Sequence, residues 1–188
     1  MLDRDKLEEW FPGGDVVTVS PTAIPDAAIN EPLRELLTEV GLPESLLGVV
    51  VLGPTGDSIE TVEQSYGSIG EDAPDGTGHL LYLGLAGTRS LCVNGQTGEV
   101  LEVDEEFGSR PFNSNLEAFL RVLGFVSVEV EAYIKESWVE GGDSQVLKFA
   151  ENLKRRTLEK LGKIDPDKAS AAESAWSQLV GNITEVLT

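Results

Sequence analysis

The sequence predicts an α+β fold in a single domain, with a central, mostly antiparallel β-sheet of about six strands flanked by N-terminal and C-terminal helices. Three observations support this prediction. Short apolar segments separated by turn residues follow one another from residue 48 to residue 112, as in an antiparallel meander. No helical pattern of about 12 residues lies between them, as the crossovers of a parallel sheet would require. From residue 114 onward, the apolar residues recur at helical spacing.

The chain divides into a lead-in over residues 1–29 and an α+β domain over residues 30–188, whose residues 140–188 form a helical C-terminal extension. Within the lead-in, four apolar residues indicate a short amphipathic helix that stops at Pro12: Leu2, Leu7, Trp10 and Phe11. Valines at positions 16, 17 and 19 then indicate a short β segment over Asp15–Ser20.

A helix with clear boundaries is predicted over Asn30–Gly41. Pro32 lies at its start, where the missing N–H removes no hydrogen bond. Four apolar residues then share one helical face: Leu33, Leu36, Leu37 and Val40. Gly41 suits the left-handed conformation that ends many helices, and Pro43 cannot continue the helix.

The β-sheet is predicted from apolar and β-branched residues. The predicted strands are Gly48–Leu52, Asp57–Glu63, His79–Gly84, Thr88–Val93, Glu99–Val103 and Phe107–Phe112. The strand His79–Gly84 is expected to be buried on both faces. The turn Asn94–Gly98 joins two of these strands, and Gly70–Gly78 is an acidic loop rich in Gly and Pro.

The second half of the chain is predicted to be helical. Ser114 and Glu117 match the capping-box pattern at the start of a long helix that continues toward Trp138. Trp176 shares an apolar stripe with nearby aliphatic residues and is expected in the core. The remaining predicted elements are a break at 140–143, the helices Ser144–Gly162 and Ala169–Leu187, and the turn Ile164–Asp167.

The net charge is the most unusual property of the composition. Lys and Arg total 14 against 33 Asp and Glu, which gives a formal charge of −19. Such a chain repels the phosphate backbone and anionic lipid headgroups, so we expect neither nucleic-acid binding nor membrane binding. A basic protein partner is favoured because opposite fields speed the encounter of two proteins. The alternative is that the charge only keeps the protein from aggregating.

Few residues could carry catalytic chemistry. His79 is the single histidine and Cys92 the single cysteine, which is too few for a zinc site built from both. A catalytic set could use one histidine as its base, but no residue near His79 in the sequence supports that role. Cys92 lies in the middle of a predicted strand and is interpreted as core packing. One cysteine also excludes an internal disulfide and fits a reducing compartment. Without a signal peptide or a membrane span in the sequence, we expect a cytoplasmic protein that is not an enzyme and has no cofactor.

Two acidic clusters are the candidate binding residues. The first lies in the predicted loop and consists of Glu71, Asp72 and Asp75. The second follows the strand Glu99–Val103 and consists of Glu102, Asp104, Glu105 and Glu106. Three interpretations remain open: solvated acidic turns, a contact surface for a basic partner, or a metal or paired-carboxylate site.

Four passages carry a resemblance to a known family. They are Leu36–Pro43, Leu81–Gly84, the hairpin Cys92–Val100, and Phe112–Leu120. Their order and spacing resemble the SUKH superfamily, especially its fourth subgroup of bacterial immunity proteins. Residues Ile164–Pro166 and Trp176 are similar to the C-terminal extension of that subgroup. Two departures stand out: Asn94 occupies a position where the family often has Asp, and Met1–Ile29 has no clear match.

The resemblance implies a protein without enzymatic activity that binds and neutralises a cognate toxin of a bacterial polymorphic or contact-dependent toxin system. Such toxins are often nucleases or deaminases. The resemblance implies no shared catalytic, cofactor-binding or metal-binding residue. We expect the partner to be a toxin with a basic surface and the protein to be a monomer or a weak homodimer. Two alternatives remain: a protein-interaction or regulatory module that has no toxin, and an enzyme that uses the acidic cluster Glu102–Glu106.

Overall fold

The central sheet has six strands, all antiparallel, in the order of the chain. A computed structural model describes residues 2–12, 15–25, 29–53, 58–106, 108–137 and 143–187. The sheet strands are β3 (Ser45–Leu46), β4 (Val50–Leu52), β5 (Leu81–Ala86), β6 (Arg89–Val93), β7 (Val100–Asp104) and β8 (Gly108–Asn113). Two shorter strands, β1 (Val16–Val17) and β2 (Leu42–Pro43), pair separately. The predicted antiparallel meander and the α+β class are confirmed.

Helices lie at both ends of the described chain and between β4 and β5. They are α1 (Arg4–Trp10), α2 (Glu31–Glu35), α3 (Val62–Ser68), α4 (Leu116–Ser137), α5 (Asp143–Ile164) and α6 (Ala169–Glu185), with a 3₁₀ turn at Pro21–Ala23. Asn30 caps α2, because its side chain accepts a hydrogen bond from the N–H of Leu33. A π-helical turn, Leu36–Val40, extends α2 to Gly41, whose φ of +91° supports the predicted stop.

The larger hydrophobic cluster lies between one face of the sheet and helices α4 and α6. Phe112 on β8 packs edge-on against Phe119 of α4 and Trp176 of α6, with ring centroids 5.3 and 4.9 Å away. All three rings are buried, which confirms the predicted core position of Trp176. Burying such large apolar groups is the main favourable term in folding, so this face holds most of the stability.

The opposite face of the sheet carries a smaller cluster under α3. Cys92 and Val103 on the strands pack with Val62 and Tyr66 of α3 and with Leu80. Cys92 is fully buried, and this burial raises the pKa of its thiol to about 12. The interpretation of Cys92 as core packing is confirmed, since a thiol that stays protonated is a poor nucleophile.

The lead-in packs into the same domain. Leu2, Leu7 and Phe11 are buried members of the larger cluster. The backbone N–H of Leu2 also donates to Glu117 of α4 over 2.9 Å. Trp10 lies against Gly124 of α4, where any side chain larger than hydrogen would collide with the indole ring. Residues 2–11 therefore complete the helical layer.

The strand predicted over Asp57–Glu63 is wrong where the structure describes it, because α3 begins at Val62. The side chain of Thr61 accepts from the N–H of Gln64, and the side chain of Gln64 accepts from the N–H of Thr61. This reciprocal pair is a capping box and holds the first turn of the helix. Asp57 itself lies outside the described residues.

The capping box predicted at Ser114 and Glu117 is also wrong. Asn115 caps α4 instead, with its side-chain oxygen accepting from the N–H of Ala118 at 2.8 Å. The backbone N–H of Ser114 donates to Asp165 at 2.7 Å, and Glu117 pairs with Arg121. Trp138 and residues 140–142 of the predicted break at 140–143 lie outside the described residues, whereas Asp143 is the first residue of α5.

Candidate functional site: an acidic groove

Two acidic segments that are far apart in sequence line one groove. Glu71, Asp72 and Pro74 of the loop after α3 face Glu105 of the β7–β8 turn across it. We call this set of four residues the acidic groove. It joins the two clusters that sequence analysis proposed separately, and its three carboxylates are exposed.

The loop side of the groove is held by its own backbone. The Thr77 hydroxyl donates to the carbonyl of Pro74 at 2.6 Å, and the N–H of Thr77 donates to the same oxygen at 3.0 Å. The N–H of Glu71 donates to the carbonyl of Tyr66 at the end of α3. Ala73 packs on the smaller hydrophobic cluster. The carboxylates of Glu71 and Asp72 therefore project from an anchored loop.

Glu102 does not belong to this surface. Glu102 is only 4% exposed, and its carboxylate accepts hydrogen bonds from Arg89 at 2.9 Å and from Arg110 at 2.8 Å. Arg89 also donates to Gln178 of α6 at 2.6 Å. The two arginines compensate the buried charge and tie β6, β7 and β8 to α6. A carboxylate in this position is not available to a partner.

Asp104 is half-buried and occupied by internal contacts. One of its oxygens lies 3.4 Å from Arg89, and the other accepts from the N–H of Glu106 at 2.8 Å. Asp75 and Glu106 are exposed but do not line the groove. Of the seven residues proposed from the sequence, the structure brings together Glu71, Asp72 and Glu105.

A long stretch of the sequence that contains the acidic loop has no positive charge. No Lys or Arg occurs from residue 35 to residue 88, whereas nine Asp and Glu do. This stretch contains β3, β4, α3, the acidic loop and β5. Residues 116–187, which contain the helical layer, carry nine Lys and Arg against twelve Asp and Glu. The excess negative charge is therefore concentrated in residues 35–88, which include Glu71 and Asp72 of the acidic groove.

The described residues offer little for catalysis. Within them, no group of three or more His, Cys, Asp and Glu side chains could hold a metal ion. His79 is exposed, and Cys92 is buried with a raised pKa. None of the helices in the described part of the chain is long and apolar enough to cross a membrane. The arrangement is suited to attracting a cationic surface.

The chain matches a known protein family. The family model described as SUKH-4 immunity protein matches residues 2–182. The match includes the lead-in, for which sequence analysis found no counterpart, and this agrees with the packing of α1 into the core. No curated protein and no solved structure matches the chain.

Proposed function

The chain belongs to the SUKH-4 immunity protein family, and from this premise we propose that it neutralises a cognate toxin by binding it, without catalysing a reaction. The acidic groove is the observation that carries the proposal. Its three carboxylates come from two separate segments, and among the described residues none of them forms an ion pair. Such a surface is suited to a basic partner.

The proposed partner is a toxin that acts on nucleic acid, such as a nuclease or a deaminase. An enzyme of this kind needs a basic cleft to hold the phosphate backbone. An acidic protein seated on that cleft would exclude the substrate and would gain a fast association rate from the opposite charges. The proposal includes action in the cytoplasm as a monomer or weak homodimer.

The absence of catalysis is part of the proposal. The single cysteine is buried with a raised pKa, and the single histidine is exposed without a hydrogen-bonded acid or nucleophile among the described contacts. General acid–base catalysis needs a group positioned within hydrogen-bond reach of its partner. Neutralisation by binding needs no such arrangement.

The first test is growth rescue. Co-expression with the toxin encoded beside this gene should restore growth, and the two purified proteins should form a stable complex. Absence of both rescue and binding with neighbouring toxins would contradict the proposed function. Binding to an endogenous partner in a locus without toxin genes would favour an interaction module instead.

The second test concerns the groove. The variant Glu71→Gln/Asp72→Asn/Glu105→Gln should reduce the association rate for the toxin about tenfold at low salt, and the difference should shrink as salt rises. The matched control is Glu151→Gln/Asp167→Asn/Glu173→Gln, which removes the same charges from exposed positions on and beside α5 and α6. Equal association rates for both variants would show that total charge, and not the groove, steers the toxin.

A further inference from the structure

Two apolar side chains lie exposed beside each other on the sheet. Val51 of β4 and Leu85 of β5 are cross-strand partners, and they are 43% and 38% exposed. Side chains of directly opposite residues point to the same face and lie about 5 Å apart. The apolar surface of this pair stays exposed after folding, so a binding partner could bury it.

The strand register connects this pair to the acidic groove. Leu85 pairs with Ser90, Ser90 with Val103, and Val103 with Ser109, so one row of side chains crosses the sheet on a single face. Val103 belongs to the same cluster as Ala73, which lies between Asp72 and Pro74 of the groove. The apolar pair and the groove therefore share one face of the sheet.

Helix α3 covers the neighbouring row and also Val103, the β7 member of this row, but it does not cover Val51 and Leu85. Tyr82, Cys92 and Leu101 follow one another in register across β5, β6 and β7, and they contact the cluster that includes Val62 and Tyr66 of α3. Val51 and Leu85 belong to the adjacent row and are absent from that cluster. We call the surface formed by Val51, Leu85 and the acidic groove the open face.

The dimensions of the open face fit a protein partner. Neighbouring strands are about 4.8 Å apart, so Val51 on β4 lies about 14 Å from Val103 on β7. A stable interface buries about 800 Å² on each partner, which is a patch about 30 Å across. One docked protein can therefore cover both the apolar pair and the groove.

We propose that the open face is the docking surface for the cognate toxin, with Val51 and Leu85 as the apolar anchor and the acidic groove as its charged rim. The expected partner surface is an apolar side chain within a ring of Lys and Arg. Charge supports this choice, because the rim carries the three exposed carboxylates of the acidic groove, two of which belong to the stretch of residues 35–88 that contains no Lys or Arg. An apolar centre with a polar rim is the usual anatomy of a specific interface. This inference rests on the proposed function and adds to it the location of the contact.

The test is the double variant Val51→Thr/Leu85→Thr, which keeps the net charge and suits an exposed strand. We expect its affinity for the toxin to fall at least about tenfold, through faster dissociation that does not depend on salt. The control is Val128→Thr/Leu147→Thr, whose residues are 41% and 67% exposed on α4 and α5 across the sheet. Circular dichroism and thermal unfolding should show that both variants are folded.

The affinities of the two double variants and of the wild-type protein distinguish a wrong docking surface from a wrong function. Loss of affinity in Val51→Thr/Leu85→Thr, with wild-type affinity in the control, supports the open face. Wild-type affinity in both double variants overturns the open face and leaves the proposed function intact. A wild-type protein that binds no neighbouring toxin overturns the proposed function and the docking surface together.

Discussion

Trp176 donates a hydrogen bond from its indole nitrogen to the side-chain oxygen of Asn113 over 3.2 Å, and both side chains are completely buried. Asn113 in turn donates to Asp165 at 3.0 Å, and the same carboxylate oxygen accepts from the N–H of Ser114. The network joins the last strand, the turn before α6 and α6 itself. Buried polar groups are stable only when paired, so these partners depend on one another.

Replacing the acceptor of this network should destabilise the fold. In Asp165→Ala, the N–H groups of Asn113 and Ser114 lose their partner in a buried site, and we expect the free energy of unfolding to fall by about 2 to 4 kcal/mol. Urea unfolding followed by circular dichroism measures the change. The control Asp167→Ala removes an exposed carboxylate two residues away and should change stability by less than about 0.5 kcal/mol. Similar losses in both variants would argue against the network.

Glu102 is expected to stabilise the fold without contacting the toxin, whereas Glu105 is expected to bind the toxin without stabilising the fold. Glu102→Gln removes the buried charge that Arg89 and Arg110 share, and we expect it to lower the free energy of unfolding by about 3 kcal/mol. Because Glu102 is buried, the toxin affinity of the folded variant should stay within about twofold of wild type. Glu105→Gln should do the opposite, with unchanged stability and weaker binding. The prediction fails if Glu102→Gln weakens binding while thermal unfolding is unchanged.

Leu47 is held in a costly backbone conformation. It has a φ of +53° in the turn between β3 and β4 and is the non-glycine residue with positive φ in the described chain. The left-handed region costs an L-residue such as Leu about 1 kcal/mol, whereas Asn adopts it readily. Since Leu47 is exposed, Leu47→Asn should raise the free energy of unfolding by about 0.5 to 1 kcal/mol. A calorimetric melting temperature at or below that of wild type would contradict this expectation.

The raised pKa of Cys92 predicts a loss of stability at high pH. The pKa is about 12 in the folded state against an ordinary value of 9.0, so the folded state holds the proton more strongly. The part of the free energy of unfolding that depends on the protonated thiol is complete below pH 9. It is lost as the pH rises toward 12, by about 1.4 kcal/mol per pH unit. Unfolding free energies at pH 8.5 and 10.5 measure it. Cys92→Ala should lack this part of the decline, although Tyr82, whose pKa burial also raises, affects both proteins.

The sequence predicted the meander and the long helices because their signals are local. Apolar runs and turn residues mark β5, β6 and β7 without reference to distant partners. Helix α3 was missed because Ile59 and Val62 resemble strand alternation, although the capping-box pair Thr61 and Gln64 was present in the sequence.

The candidate site was less predictable, since it depends on tertiary contacts. Nothing local distinguishes the buried Glu102 from the exposed Glu105 three residues later; the difference arises from Arg89 and Arg110 on neighbouring strands. The convergence of Glu71 with Glu105 likewise depends on how the loop packs on the sheet. The stretch of residues 35–88 without Lys or Arg was the feature of the sequence that could have indicated an acidic surface. Its position in the molecule follows only from the topology of the fold.

The two faces of the sheet differ in how much of the hydrophobic core they hold, and they should therefore differ in how readily their residues are substituted in evolution. The larger cluster, with Phe112, Phe119 and Trp176, lies on the helical side, whereas the open face rests on the smaller cluster. Substitutions at exposed positions such as Val51 and Leu85 therefore cost the fold little. The residues of this surface could therefore change repeatedly in evolution while the fold is kept, so that the same architecture would bind a succession of different toxins.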